Sequence, residues 1–184
     1  MKRLAILTVG KTHSGKSTFA KDLENQLDHS IVIDQDDHAD FINTYYKALQ
    51  PKSGPNTLKY AITKVIVDYA KENKNLHFIV CNSNRSKAGR AFLLNEIYNK
   101  DEFIRVIVHF NIPDDILLDR VTHSERRTNI FRSASSFKEV LLRQQAEGVM
   151  DPDKDEADFL FTVNTNDETN EVIKRIVDIL NQKC

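Results

Sequence analysis

Apolar runs of strand length alternate along this chain with stretches in which apolar residues recur every three to four positions. That alternation is the sequence form of an α/β domain built on a parallel sheet. The apolar runs predict five strands, at 3–9, 30–33, 76–81, 104–110 and 159–163. Helical periodicity between them predicts helices at 16–27, 37–48, 56–72, 86–98, 113–121, 136–147 and 169–181. The stretch "QPKSGPN" at 50–56 holds two prolines and a glycine, so it must break the helical pattern and split the segment after the second strand into two helices. Five strands fit one doubly wound sheet. Ligands in such sheets bind at the carboxyl ends of the strands, so the residues just after each strand are the first candidates for a site.

Composition narrows the picture. With 184 residues, 40% of them hydrophobic, the chain has enough apolar surface for one sizeable core, and one domain is expected over 1–184. The 26 basic and 27 acidic side chains give a net charge of −1, so no global field drives it onto nucleic acid or membrane and any polyanion site must be local. Cys81 and Cys184 do not make a disulfide framework, and Cys81 is expected as a buried core residue. The amino-terminal apolar run is too short for a signal peptide, and no stretch approaches the roughly 20 apolar residues needed to cross a bilayer. A cytoplasmic protein with no membrane partner is therefore expected. The six histidines have no zinc-type spacing.

Residues 10–18 read "GKTHSGKST" and contain two Gly-Lys pairs. The phosphate-binding pattern G-x-x-x-x-G-K-[ST] needs a strand before it and a helix after it, so that backbone N–H groups and the positive helix end converge on one anion. A frame starting at Ala5 would place the loop on "AILTVG", a β-branched run that prefers to be strand. The frame starting at Gly10 leaves "RLAILTV" as the strand and "KSTFAKDLENQL" as the helix. In that frame Gly10 and Gly15 allow close backbone approach, Lys16 reaches the terminal phosphates and the Ser17 hydroxyl can ligate Mg²⁺. His13, Ser14 and Thr18 complete the predicted phosphate site. Lys11 reads as a solvated loop tip.

Phosphoryl transfer to a hydroxyl needs a carboxylate to orient the acceptor and take its proton. After the second strand comes "IDQDDHADF", with Asp34, Asp36 and Asp37 where a strand gives way to a helix. Asp36 is the expected base and a metal-side group, with Asp34 second; capping the helix is the alternative role of the cluster. The third strand ends in "CNSNR", where Asn82 stands in place of an acid. Asn82 and Asn84 are candidate substrate contacts, or loop and cap residues. After the fourth strand, a segment at about 121–135 gathers arginines that would neutralise charge on a transferred phosphoryl group. Arg126 and Arg127 are the catalytic candidates, Arg132 follows, and Arg120 would fix the hinge. The substrate side is expected at 36–73, between the phosphate loop and the helices after the second strand, including Phe41, Tyr45 and Tyr46.

These parts together resemble the P-loop small kinases, and among them the polynucleotide 5′-hydroxyl kinases, zeta-toxin-like kinases and gluconate kinases. The resemblance runs over about 3–145 and rests on "ILTVGKTHSGKSTFA", "DQDDHAD", "CNSNR" and "IPDDILLDRV". It implies a three-layer P-loop NTPase fold with a five-stranded parallel sheet of order 2-3-1-4-5, ATP and Mg²⁺ as cofactors, and an aspartate base that falls on Asp36. It also implies nucleotide contacts from the lid and from the loop after the last strand, at 164–167. Polynucleotide kinases carry an arginine shortly after the aspartate, and the corresponding place here is near Ala39. A small-molecule or nucleotide acceptor is thus favoured over a nucleic-acid end. The alternative is a nucleotide-binding regulatory ATPase, for which the missing acid at Asn82 speaks.

Overall fold

In a computed structural model of the chain, residues 2–148 and 150–181 are described. Five parallel strands, β1 (Arg3–Gly10), β2 (Ser30–Asp34), β3 (His77–Cys81), β4 (Phe103–Phe110) and β5 (Phe159–Val163), form one sheet of order β2-β3-β1-β4-β5. Among the described residues seven α-helices surround it: α1 (Lys16–Glu24), α2 (Gln35–Tyr45), α3 (Thr57–Asn73), α4 (Lys87–Phe92), α5 (Asp114–Thr122), α6 (Phe137–Ala146) and α7 (Thr169–Asn181). The fold class and strand order are those the sequence led us to expect. Cys81 lies in the core, while Cys184 falls outside the described residues.

Alternation along β1 explains the three layers. Leu4 and Ile6 face one side with Ile104, Val106 and Val108, where Phe19 and Leu23 of α1, Leu117 of α5, Leu141 of α6 and Ile173 of α7 cover them. Ala5, Leu7 and Val9 face the other side, under Val67 and Ala70 of α3, Leu94 and Tyr98. Both faces of the central strands are covered, so they read as continuous apolar runs rather than alternating ones.

Several element ends depart from the periodicity, each for a local reason. Helix α2 begins at Gln35, two residues before the predicted start, because Asp34 caps it: its carboxylate accepts from Asp36 N at 2.8 Å. Past Tyr45 the chain tightens into a 3₁₀ turn at Lys47–Leu49. The predicted helix 86–98 is α4 followed by a wider π turn, Leu93–Ile97. In that turn Tyr98 N bonds Leu93 O at 2.7 Å, and the Tyr98 ring packs 5.4 Å from Phe78 and 5.5 Å from Phe103.

One buried charge ties the second core to the loop after β3. Arg90 of α4 is fully buried and its guanidinium binds Glu156 at 2.7 and 2.9 Å. Its remaining donors go to the carbonyls of Asn84, Arg85 and Met150, so every side of the cation meets oxygen. Removing one partner of such a pair costs about 3–5 kcal/mol, whereas replacing both by apolar groups of similar volume is often close to neutral. Arg90→Ala should accordingly lower unfolding stability by about 3 kcal/mol or more in a denaturant titration, and Arg90→Met with Glu156→Leu should recover most of that loss.

Candidate functional site

The site gathers at the carboxyl edge of the sheet, where β1, β2 and β3 end side by side. Gly10 is the last residue of β1, and a Cβ there would lie 2.9 Å from the Phe110 carbonyl and 3.0 Å from Ser14 Oγ, so only glycine lets the loop turn off the sheet. Gly15, at φ +98°, starts α1 without any side-chain cap. The first N–H groups of that helix are left for an anion. Hydrogen bonds fasten the loop's far wall: Gly10 N to Ser83 O at 3.0 Å, Thr8 Oγ1 to Asn82 O at 3.1 Å, and Asn84 Nδ2 to Thr8 O at 2.9 Å.

Lys16 sits in the crook of this loop, donating to Lys11 O at 2.5 Å and Ser14 Oγ at 3.2 Å. Burial draws its pKa down to about 8, against the opposing pull of the nearby acids, so it stays protonated at neutral pH. Lys11 turns the other way and pairs with Asp114 of α5. Of the two lysines, only Lys16 points into the site.

Ser17 Oγ lies 3.4 Å from Asp34 Oδ2, and the Cys81 thiol lies 3.6 Å from Ser17 Oγ. Burial raises the pKa of Asp34 and pushes the Cys81 thiol up to about 12. Both oxygens of Asp34 are engaged, one with Ser17 and one with the backbone of Asp36. Asp36 is freer: its carboxylate is 3.7 Å from the Arg126 guanidinium, and both side chains are a little under half exposed.

Residues 123–136, between α5 and α6, form neither helix nor strand, and they arch over the loop. Asn43 of α2 holds this arch through the carbonyls of Asn129 and Phe131, and Asn129 Nδ2 reaches back to Asp40 Oδ1 at 2.8 Å and Thr44 Oγ1 at 3.0 Å. Arg126 lies over the Phe137 ring, 5.1 Å from its centre. His13, a positive-φ residue at +60°, bonds Ser124 Oγ at 2.7 Å and meets the Phe137 ring edge-on.

Two clefts flank Lys16. One, about 840 Å³, runs over Gly15, Lys16, Thr18 and Phe110 to Arg120, Arg127, Asn166 and Thr169. The other, about 410 Å³, lies between Ser17, Asp36 and Asn82 on one side and the arch with α6 on the other. Lys16, Ser17, Asp34, Asp36, His13 and Arg126 line both. Among the predicted site residues, Ser14 and Arg127 line the larger cleft and Asn82 the smaller, whereas Gly10 acts through packing. Asn84 spends its amide on Thr8 O, at φ +42°, and so fastens the loop. Phe41, Tyr45 and Tyr46 line neither cleft; they are 44%, 70% and 48% exposed and pack on one another.

Other residues enter the site that the motif did not reveal. Arg120 donates to His13 O at 3.0 Å and Asn166 Oδ1 at 3.1 Å, joining the phosphate loop to the loop after β5. Gln144 Oε1 accepts from Thr12 N at 2.8 Å. Lys59, in the first turn of α3, has its pKa lowered by burial while Asp36 and Asp34 pull it back up. A glutamine in α6 and a lysine in α3 carry no local signal; only the fold brings them here.

This arrangement has the P-loop fold of the small-kinase type. The chain belongs to the AAA domain family, whose model matches residues 6–151. Among solved structures it is similar to a gluconokinase from Sinorhizobium meliloti, at 18% identity and a TM-score of 0.57 with 99% of each chain covered. It is also similar to the Mycobacterium tuberculosis APS kinase CysC, solved with AMPPNP and APS, at 14% identity and a TM-score of 0.59 over 98% of each chain. A third is Chaetomium thermophilum Kti12 in complex with ADP-AlF3, at 16% identity and a TM-score of 0.60 over 95% of this chain and 97% of that one. No curated protein matches the chain by sequence. No helix among the described residues is long and apolar enough to cross a membrane.

His13 offers a direct check on the electrostatics. Burial first, then the charges of Arg126, Lys16 and Arg120, pull its pKa from 6.5 to about 4. The folded state therefore binds a proton less readily than the unfolded chain between those values, so stability should fall as pH drops from about 6.5 towards 4. An NMR titration should find the His13 ring neutral at pH 6 and half-protonated near 4, and Phe137→Ala, which opens its packing, should move the midpoint upward.

Proposed function

We propose that this protein is an ATP- and Mg²⁺-dependent phosphotransferase that moves the γ-phosphate to a hydroxyl of a small molecule or nucleotide. The observation that carries the reading is the pair of clefts meeting at Lys16 and Asp36. The larger suits a nucleotide lying along the phosphate loop, and the smaller opens from the same point towards the arch. A nucleotide hydrolase would need only the first. The similarity to a gluconokinase and to an APS kinase favours the same conclusion.

The donor set suits a magnesium ion. Ser17 and Asp34 are adjacent, and Asp34 is a desolvated carboxylate with like charges at Asp36 and Asp37, so a cation there relieves repulsion. No group of three or more His, Cys, Asp or Glu suited to a metal occurs among the described residues, in keeping with an ion that keeps waters and takes oxygens from phosphate. When bound, the ion neutralises charge on the phosphate oxygens. Engaged on both its oxygens, Asp34 is the metal-side acid in this reading, and the metal role expected of Asp36 passes to it. The absence of an acid at Asn82 then costs the site little.

Asp36 takes the base role. It would accept the acceptor's proton as the hydroxyl oxygen forms its bond to the γ-phosphorus and the bond to the bridging oxygen breaks. Lys16 and the first N–H groups of α1 hold the phosphates, and Arg126, on the arch, would neutralise charge on the transferred group. Arg120 and Asn166 close the nucleotide end of the larger cleft.

Transfer of label from γ-labelled ATP to a panel of alcohols, with water as the control acceptor, tests the reading directly. Lys16→Ala should lower transfer about 100-fold or more. Asp36→Asn should lower kcat by about 100-fold while ATP affinity changes less than about threefold. Asp34→Asn should raise the Mg²⁺ concentration needed for half-maximal rate. Unchanged turnover in Asp36→Asn would remove the base assignment, and label found in water alone would favour a regulatory ATPase.

A further inference from the structure

A third cavity, about 770 Å³, borders neither Lys16 nor the acids of the site. It lies between α3 and α4, with Ile33 of β2 and Val80 of β3 as its floor and Val67 of α3 and Leu93 and Ile97 of the π turn as its walls. A π turn is uncommon in helices and is frequent at functional sites. Tyr60 and Phe92, 50% and 57% exposed, stand at the mouth. The charged residues of the lining cancel one another, Lys64 pairing with Asp68 and Arg85 with Glu147. No unpaired charge faces the space.

Unspent hydrogen-bonding groups mark its ends. Tyr98 is 1% exposed, its ring is packed against Phe78 and Phe103, and burial alone raises its pKa. Its hydroxyl has no hydrogen-bond partner among the described residues and yet is not sealed in protein, and the cavity is the space that Tyr98 lines. A buried tyrosine hydroxyl ordinarily finds a partner. Towards the carboxyl edge of the sheet, Gln35 and Ser83 also line the cavity, half-buried, with side chains that have no hydrogen-bond partner among the described residues. A cavity of this volume, largely apolar with a few polar groups at its ends, has the anatomy of a small-molecule site. We propose that it binds a neutral small molecule with an aromatic or aliphatic body, whose polar ends are held by the Tyr98 hydroxyl and by Gln35 and Ser83. A charged ligand would shed its water there with no counter-ion to meet it.

One wall of this cavity also fastens the phosphate loop. Ser83 O accepts from Gly10 N at 3.0 Å and Gln144 Oε1 from Thr12 N at 2.8 Å, and both residues line the cavity and the smaller cleft alike. Occupancy of the cavity and of the phosphate loop are linked through these bonds, whether or not phosphate is transferred.

Prodan, a neutral naphthalene with a ketone at one end and a tertiary amine at the other, has the matching form, and its emission moves to the blue in apolar surroundings. Titrated into the full chain, it should bind saturably with a blue shift, while a naphthalene sulfonate of similar size should bind about 10-fold or more weakly. Ala61→Phe, at an exposed position of α3 that lines the cavity, should block binding, and thermal melts establish that this variant is folded. Tyr98→Phe should weaken binding about threefold or more, yet leave the unfolding midpoint undiminished, because the hydroxyl has no bond to lose. Absence of saturable binding in wild type, equal binding by folded Ala61→Phe, or tighter binding of the sulfonate overturns the site. Unaltered binding by Tyr98→Phe removes the hydroxyl's role. With Mg²⁺ and AMPPNP present, prodan affinity should change about fivefold or more, and prodan should change AMPPNP affinity by the same factor. Saturable binding without that reciprocal change removes the linkage and keeps the site.

Discussion

An ammonium group buried at the carboxyl edge of the sheet is the constraint around which this molecule is arranged. Burial lowers the Lys16 pKa to about 8 while the nearby acids pull it back up, so the proton is retained at neutral pH. Lys11 O and Ser14 Oγ accept its hydrogen bonds, and both depend on the loop turning sharply at Gly10, hard against Phe110. The turn in turn depends on β4 lying in register beside β1, with Gly10 opposite Phe110. Sheet order, loop shape and the state of one lysine are thus a single requirement met at three scales.

The arch belongs to that requirement as well. It has no helix or strand to hold it, yet Asn43, Asp40 and Thr44 of α2 bind it at Asn129 and Phe131. Helix α2 is the element whose first turn carries Asp36, and the arch is the segment that carries Arg126. Because the same hydrogen bonds fix both, acid and arginine are positioned as one unit, and a shift of the arch would move the cation relative to the carboxylate. Asn43 Oδ1 is the one buried side-chain polar atom without a partner among the described residues, which places the least satisfied part of this contact at the junction itself.

Much of the fold was legible because apolar period and turn chemistry are local properties. Strand β5 matched at both ends, and the other strands differed by a single residue at one end. Helix boundaries failed where a side chain decided them: the Asp34 cap moved the start of α2, and the burial of Tyr98 accompanied the π turn. The phosphate loop was legible for the same reason as the strands, since its parts are contiguous. Gln144 and Arg143 of α6 are different, because the fold alone brings them to the cleft beside Lys16. The aromatic residues of α2 show the converse error. Phe41, Tyr45 and Tyr46 have the spacing of a lining or core face, but Ala39, Ile42 and Asn43 are the α2 residues that turn inward.

The division of labour between Asp34 and Asp36 follows from where a strand stops. Asp34 is the last residue of β2, in register with Cys81, so its side chain is fixed beside Ser17 and desolvated by the sheet edge. Two residues later the chain is already helical, and Asp36 projects from the first turn of α2 towards both clefts. One acid is rigid, dry and committed to a hydroxyl; the other is half in water and faces an arginine. A single strand-to-helix junction therefore presents two carboxylates with different freedom. A cation needs the first of these, and a proton acceptor that must meet changing partners needs the second.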